Sequence, residues 1–236
     1  MKKNSLILGA FLAITVISFS GFGGSSGSEN TSTKKVEGNT KSTESDGVVT
    51  IGSQVWSSTN LNVSAYRNGD FIPQVQDEEA WAELTTGAWC YYQNDSANGT
   101  IYGKIYNWYA VNDARGLAPQ GYHIPSDAEW DILLDYLGGA DAAGTKMKST
   151  NGWNENGNGT NSSGFSALPG GGRSYHNGAF HNVGNYGYWW SSSEYGNYND
   201  RDAWDRTVLF NDGYVARAFI NKGNGLSVRC LKDSGI

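Results

Sequence analysis

Charge, cysteine, proline and histidine are all scarce in this chain. Only 17% of its 236 residues are charged, and it has two Cys, four Pro and three His. Positive charge is the scarcest after the N-terminal segment. Residues 48–236 hold 12 Lys and Arg against 19 Asp and Glu. With no basic stripe to release counterions from a phosphate backbone, a nucleic-acid partner is excluded. Heptads of Ala, Leu, Glu and Lys are absent, which excludes a coiled coil. Gly does not recur at every third position, which excludes collagen. His123, His176 and His181 lack the spacing of a zinc site. Past residue 23 no apolar run is long enough to span a membrane.

Glycine and aromatics are abundant instead. There are 32 Gly, nine Trp and fourteen Tyr, and aromatics make up 13% of the chain. So many rings argue against disorder and for a rigid core with many turns. Every Trp and Tyr falls after residue 47.

The N-terminus divides into three parts. Residues 1–23 read as an export signal, with Lys2 and Lys3 before the uncharged apolar run 5–19 and small residues Ser18 and Ser20 near the cleavage site. A membrane anchor is the alternative. Phe19 to Ser26 resembles a lipoprotein signal without its Cys, because Phe22 stands where the lipidated thiol would be. Residues 24–47 are Gly, Ser, Thr, Asn, Lys and Glu, a flexible linker that cannot bury enough surface to offset chain entropy. Residues 48–236 are long enough for one domain with a substantial core.

Within that domain the pattern predicts helices first and an antiparallel sheet after them, an α+β order. Val48–Ile51, a Gly52-Ser53 turn and Gln54–Trp56 read as a hairpin. Asp77–Leu84 is a short helix, and Ala88–Tyr92 a strand. Residues 101–112 place Ile101, Ile105, Trp108 and Tyr109 on one helical face. Ser126-Asp127-Ala128-Glu129 is a capping box, followed by the apolar stripe Trp130, Leu133, Leu134, Leu137 and the stop Gly138-Gly139. A third helix is expected over Ala142–Ser149. Asn177-Gly178 signals a tight type I′ hairpin. Tyr186–Ser193 is a strand, Ala203–Phe210 and Tyr214–Ile220 pair around Asn211-Asp212-Gly213, and Leu226–Leu231 closes the domain.

Six ordered segments carry a resemblance. They are Gly87–Tyr92 (GAWCYY), Tyr102–Val111 (YGKIYNWYAV), Gly121–Trp130 (GYHIPSDAEW), Gly164–Gly171 (GFSALPGG), Gly187–Glu194 (GYWWSSSE) and Leu226–Cys230 (LSVRC). Together they resemble the Fibrobacter succinogenes major paralogous domain family (FISUMP) over nearly all of residues 48–236. The resemblance implies an exported, often surface-lipidated protein of Bacteroidetes-like bacteria. It also implies a fold related to C-type-lectin-like and formylglycine-generating-enzyme-like domains, with no activity to carry over. Two positions depart from the family pattern. Ala118 stands where many members have Cys, and Tyr122 where Trp is frequent.

Three chemistries follow as expectations. Cys90 and Cys230 either form a disulfide, as an oxidising compartment would allow, or remain separate thiols. The Asp and Asn residues between 197 and 224 make Ca²⁺ a possible ligand, with ordinary turn formation as the alternative. The segment 195–225 is the expected contact surface, through Tyr195, Tyr198, Asp202, Trp204, Arg206, Asn211, Tyr214 and Arg217. Rigid rings among amides and charges suit recognition of a glycan or an extracellular protein. Two further readings stand beside this one: a scaffold domain without a ligand, and a formylglycine-generating-enzyme-like oxidase, which would need two cooperating thiols.

Overall fold

The computed structural model describes residues 47–196 and 200–235. The residues expected to form the export signal, Phe22 among them, nearly all of the expected linker, and Asn197, Tyr198 and Asn199 lie outside the described residues. The architecture is α+β. Its elements in order are β1 (Val48–Ile51), β2 (Gln54–Ser57), α1 (Glu78–Ala82), β3 (Trp89–Cys90), α2 (Ser96–Tyr102), β4 (Ile105–Tyr106), α3 (Trp108–Val111), β5 (Tyr122–His123), α4 (Asp127–Tyr136), α5 (Ala140–Met147), β6 (Gly172–Arg173), β7 (Phe180–His181), β8 (Tyr186–Glu194), β9 (Asp202–Leu209), β10 (Val215–Asn221) and β11 (Leu231–Lys232).

Two antiparallel sheets organise the chain. In the larger by area, β9 lies between β10 and β8. In the other, the order β1-β2-β11-β5 joins the first hairpin of the domain to its last strand. The β8–β10 sheet meets a core on each face, so its strands carry apolar residues toward both. Trp189, Val208 and Val215 face one core, with Trp56, Trp130, Leu133, Met147 and Phe165. Trp190 and Ala203 face the other, with Tyr106, Trp108, Leu226 and Val228. Rings pack together in the first core: Trp56 lies tilted 4.8 Å from Trp130 and edge to face 5.7 Å from Phe165, which lies edge to face 5.9 Å from Trp189. Such pairs each add about 0.5–1.5 kcal/mol beyond the area they bury.

Helix α4 forms where the sequence predicts it. The Ser126 hydroxyl accepts from the Glu129 amide, the Glu129 carboxylate accepts from the Ser126 amide, and the stripe from Trp130 to Leu137 is buried. Gly138 and Gly139 stop it at φ +96° and +91°, values that L side chains rarely adopt.

Three expectations need correction. The helix expected over 101–112 is broken. Gly103 leaves helical geometry at φ +75°, Ile105 and Tyr106 pair with Cys90 and Trp89, and a new helix starts at Trp108. The 0%-exposed Asn107 enforces this break: its Oδ1 accepts from the Ala88 and Ala110 amides, and its Nδ2 donates to the Thr86 carbonyl. The Asn177-Gly178 turn is likewise not a two-residue hairpin, since β6 and β7 are joined by the longer loop 174–179. The reason is tertiary. A side chain on Gly178 would meet Glu78 backbone, and Arg173 draws the Gly178 carbonyl inward at 2.7 Å. Finally, the closing strand shrinks to Leu231–Lys232, with Leu226 and Ser227 making only isolated bridges.

Long loops fill the rest, and their buried carbonyls need donors. Buried cations supply many of them. Arg173 donates to the carbonyls of Val75, Gln76, Asp77 and Gly178, and lies over the rings of Trp81 and Phe180. Lys148 Nζ donates to the carbonyls of Leu209, Phe210 and Asp212.

Candidate functional site

The face of the β8–β10 sheet that packs on α4 changes character along its length. At one end Val208 and Val215 sit in the core. In the middle, Arg206 and Arg217 are direct cross-strand partners. At the far end, Trp204 pairs with Phe219.

Two arginines side by side would repel, and Asp127 resolves this. Its carboxylate accepts from Arg206 Nη1 at 2.7 Å and from Arg217 Nη2 at 2.6 Å, while Asp131 takes Arg206 Nη2 at 2.7 Å. Asp127 is the first residue of α4, where the helix dipole favours an anion. Burial alone would raise its carboxyl, but the hydrogen bonds from Arg217 and Arg206 outweigh that and hold it below its ordinary value.

Arg217 is then fixed over the Trp204 ring, 3.5 Å from its centroid. Tyr195, just after β8, stacks on Phe219 at 3.8 Å with an interplanar angle of 2°. Trp204 stands edge-on to both, at 4.8 Å and 5.9 Å. Phe219 remains 49% exposed, and Tyr195 and Trp204 are half-buried. The result is a small aromatic platform with one edge held by a partly exposed guanidinium.

The residues expected at the contact surface therefore divide. Tyr195, Trp204 and Arg217 come together on the platform, and Asp202 is beside them, its carbonyl accepting from the Tyr195 amide. Arg206 is not a surface residue. It is fully buried and neutralised by two carboxylates. Asn211 and Tyr214 sit at the β9–β10 turn, the opposite end of the sheet, beside α5 through the Gly144–Gly213 hydrogen bond. Tyr198 lies outside the described residues. Phe219 was missed: the expected turn Asn211–Gly213 sets Ile220 opposite Trp204, whereas the observed register, with Val208 opposite Val215, sets Phe219 there.

The opposite sheet face holds a buried carboxylate. Asp205 is 3% exposed and accepts from the Thr207 hydroxyl at 2.7 Å. Burial pushes its pKa up to about 6 despite that hydrogen bond and the Arg206 charge. The serines 191–193 are explained by a register shift in β8. It turns the Ser191 carbonyl to Trp108 Nε1, the Ser192 amide to Pro125, and the Ser193 hydroxyl to the Asp127 amide.

The expected disulfide is not formed. Cys90 and Cys230 are free, buried in separate core clusters, and burial pushes both thiols up to about 12. Asn197 and Asn199 of the expected hard-oxygen set lie outside the described residues, and most of the others are used or placed elsewhere. Asn221 and Asn224 are spent on turn hydrogen bonds, Asp212 lies at the far turn, and Asp205 is interior. Among the described residues no group of three or more His, Cys, Asp and Glu is placed to hold a metal ion. His123 is held between Glu129 (2.9 Å) and Asp233 (2.8 Å), a structural tie.

A second feature had no sequence expectation. A cleft of about 580 Å³ opens between the loop after β2, the end of α2 and the loops after α5. Its lining is mostly hydroxyls and amides, with Arg229 as the one charged residue. The sole sequence hint was an arginine inside the apolar run Leu226–Leu231.

The model of the family described as Fibrobacter succinogenes major domain matches residues 49–232. No curated protein and no solved structure matches the chain.

Proposed function

The chain belongs to the Fibrobacter succinogenes major domain family, and from that membership and the aromatic platform we propose that it is an exported binding module that recognises a glycan. Its C-type-lectin-like scaffold displays Tyr195, Trp204 and Phe219 as the contact surface. The observation that carries this reading is the half-exposed Phe219–Tyr195 stack, fixed by Trp204 and the Arg217–Asp127 pair. Rigid rings offer apolar faces at little entropic cost, and sugars present C–H faces to such rings. Burial of both thiols, in separate clusters, supports a binding role over two-thiol oxidase chemistry, since only a thiolate is reactive. The same platform could also meet a protein.

A glycan array with the full chain, run with and without Ca²⁺, tests the proposal. Phe219→Ala and Trp204→Ala are expected to lower binding by about tenfold or more, the ~1–3 kcal/mol of a lost aromatic contact, with near-ultraviolet circular dichroism confirming the fold. No glycan bound by the wild type would rule out the glycan, and undiminished binding by both variants would rule the platform out. A protein ligand instead of a glycan would correct its identity but not the surface.

A further inference from the structure

Arg229 stands apart from the other buried arginines. All three are 0% exposed. Arg206 has two carboxylates. Arg173 has no carboxylate, but four backbone carbonyls and two rings surround it. Arg229 has neither provision in full. Its guanidinium makes three hydrogen bonds to neutral acceptors: Nε to Asn60 Oδ1 (2.7 Å), Nη1 to the Ser57 carbonyl (2.7 Å) and Nη2 to the Ser166 carbonyl (3.0 Å). It lies over the Phe165 ring on one side and forms the floor of the 580 Å³ cleft on the other. Burial lowers its pKa to about 9.

A second buried cation, not itself in the cleft lining, is tied to one of its residues. Lys104 is 5% exposed, is held over the Trp89 ring, and donates to the carbonyl of Asn62, a cleft residue. No carboxylate lines the cleft. Ser58, Thr59, Asn62, Thr150, Asn151 and Asn161 do, and neutral hydroxyls and amides can both donate and accept. The volume falls within the ~300–1,000 Å³ of small-molecule sites.

We infer that this cleft is a second ligand site, separate from the aromatic platform, and that it takes a sugar bearing one carboxylate, a uronic acid. The hydroxyls and amides of the wall meet the sugar hydroxyls. The guanidinium in the floor, screened from water, favours the carboxylate through its field. A bound anion thereby offsets the cost of keeping that cation buried without a partner. The cleft and the platform share no residue.

Titration of the full chain with D-galacturonate, D-galactose and acetate, followed by ligand-observed nuclear magnetic resonance, tests this. D-galacturonate is expected to bind at least tenfold more tightly than either of the others, and more weakly as salt is raised. Thr150 is an exposed rim residue. Thr150→Glu is expected to abolish the tenfold preference, and Thr150→Gln, of the same size without the charge, to retain it. Arg229→Met is expected to lose the preference as well; if it does not fold, the Thr150 pair decides. No binding of galacturonate, equal affinity for galacturonate and galactose, or equal behaviour of the two Thr150 variants would overturn the inference.

Discussion

Asp205 and Arg206 are neighbours on one strand whose side chains leave on opposite faces, and their fates differ accordingly. Arg206 meets two carboxylates of α4. Asp205 meets a hydroxyl and apolar surroundings, so its charge is poorly compensated. A carboxyl whose pKa is raised on folding binds its proton in the native state before the unfolded chain does. Stability is then full below the ordinary carboxylate value and falls as pH rises through about 6. Asp205→Asn keeps the shape and removes the charge. It is expected to be more stable than wild type at pH 8, by up to about 3 kcal/mol, and equal to it near pH 4. Urea denaturation at the two pH values checks this; a variant less stable at pH 8 would show that the charge is compensated after all.

At the scale of elements, α4 is the hub. Its capping box, its Asp127 and its Glu129 each reach another element. Ser126→Ala removes the acceptor for the Glu129 amide and is expected to cost about 1 kcal/mol, read as a lower denaturation midpoint without a change in slope. Glu129 also holds His123, which holds Asp233 beyond β11. Partial burial lowers the imidazole pKa, but its hydrogen bonds to the Asp233 and Glu129 carboxylates outweigh it and leave it raised. A raised histidine contributes stability below its unfolded value of about 6.5 and loses it as pH rises through the folded one. His123→Gln is therefore expected to destabilise at pH 5.5 and to matter little at pH 9. A thermal shift that is the same at both pH values would contradict this.

At the scale of the molecule, the described domain is closed by pairing of its first hairpin with its last strand. Strand β11 enters between β2 and β5, so the first and last parts of the domain depend on each other. No covalent bridge is needed for this, and both thiols stay in the interior. Ellman's reagent is expected to find no accessible thiol in the folded chain and both after unfolding in guanidinium. Reducing agent should leave the melting temperature unchanged. A native chain with no titratable thiol even when unfolded would mean that the bridge forms.

The sequence by itself determined the elements whose signals are local. The β1–β2 turn, the cap, stripe and stop of α4, and the β9–β10 hairpin each follow from residues within a few positions, so propensity and period suffice. The same hairpin placed Trp204 on a strand, but its expected turn set Ile220 opposite it, and only the observed register, one residue shifted, sets Phe219 there. Tertiary structure alone decided the break at Asn107, the wider loop around Gly178, the burial of Arg206 and the separation of Cys90 from Cys230. Each depends on a partner more than fifteen residues away or on which core a side chain enters: Ala88 for Asn107, Glu78 for Gly178, Asp127 and Asp131 for Arg206. A charge in a sequence reads as exposed until a distant opposite charge is brought to it, and only the packed chain does that. Arg229 is the same case with the partner absent, which is why the cleft it floors had no sequence signal beyond a lone arginine in an apolar run.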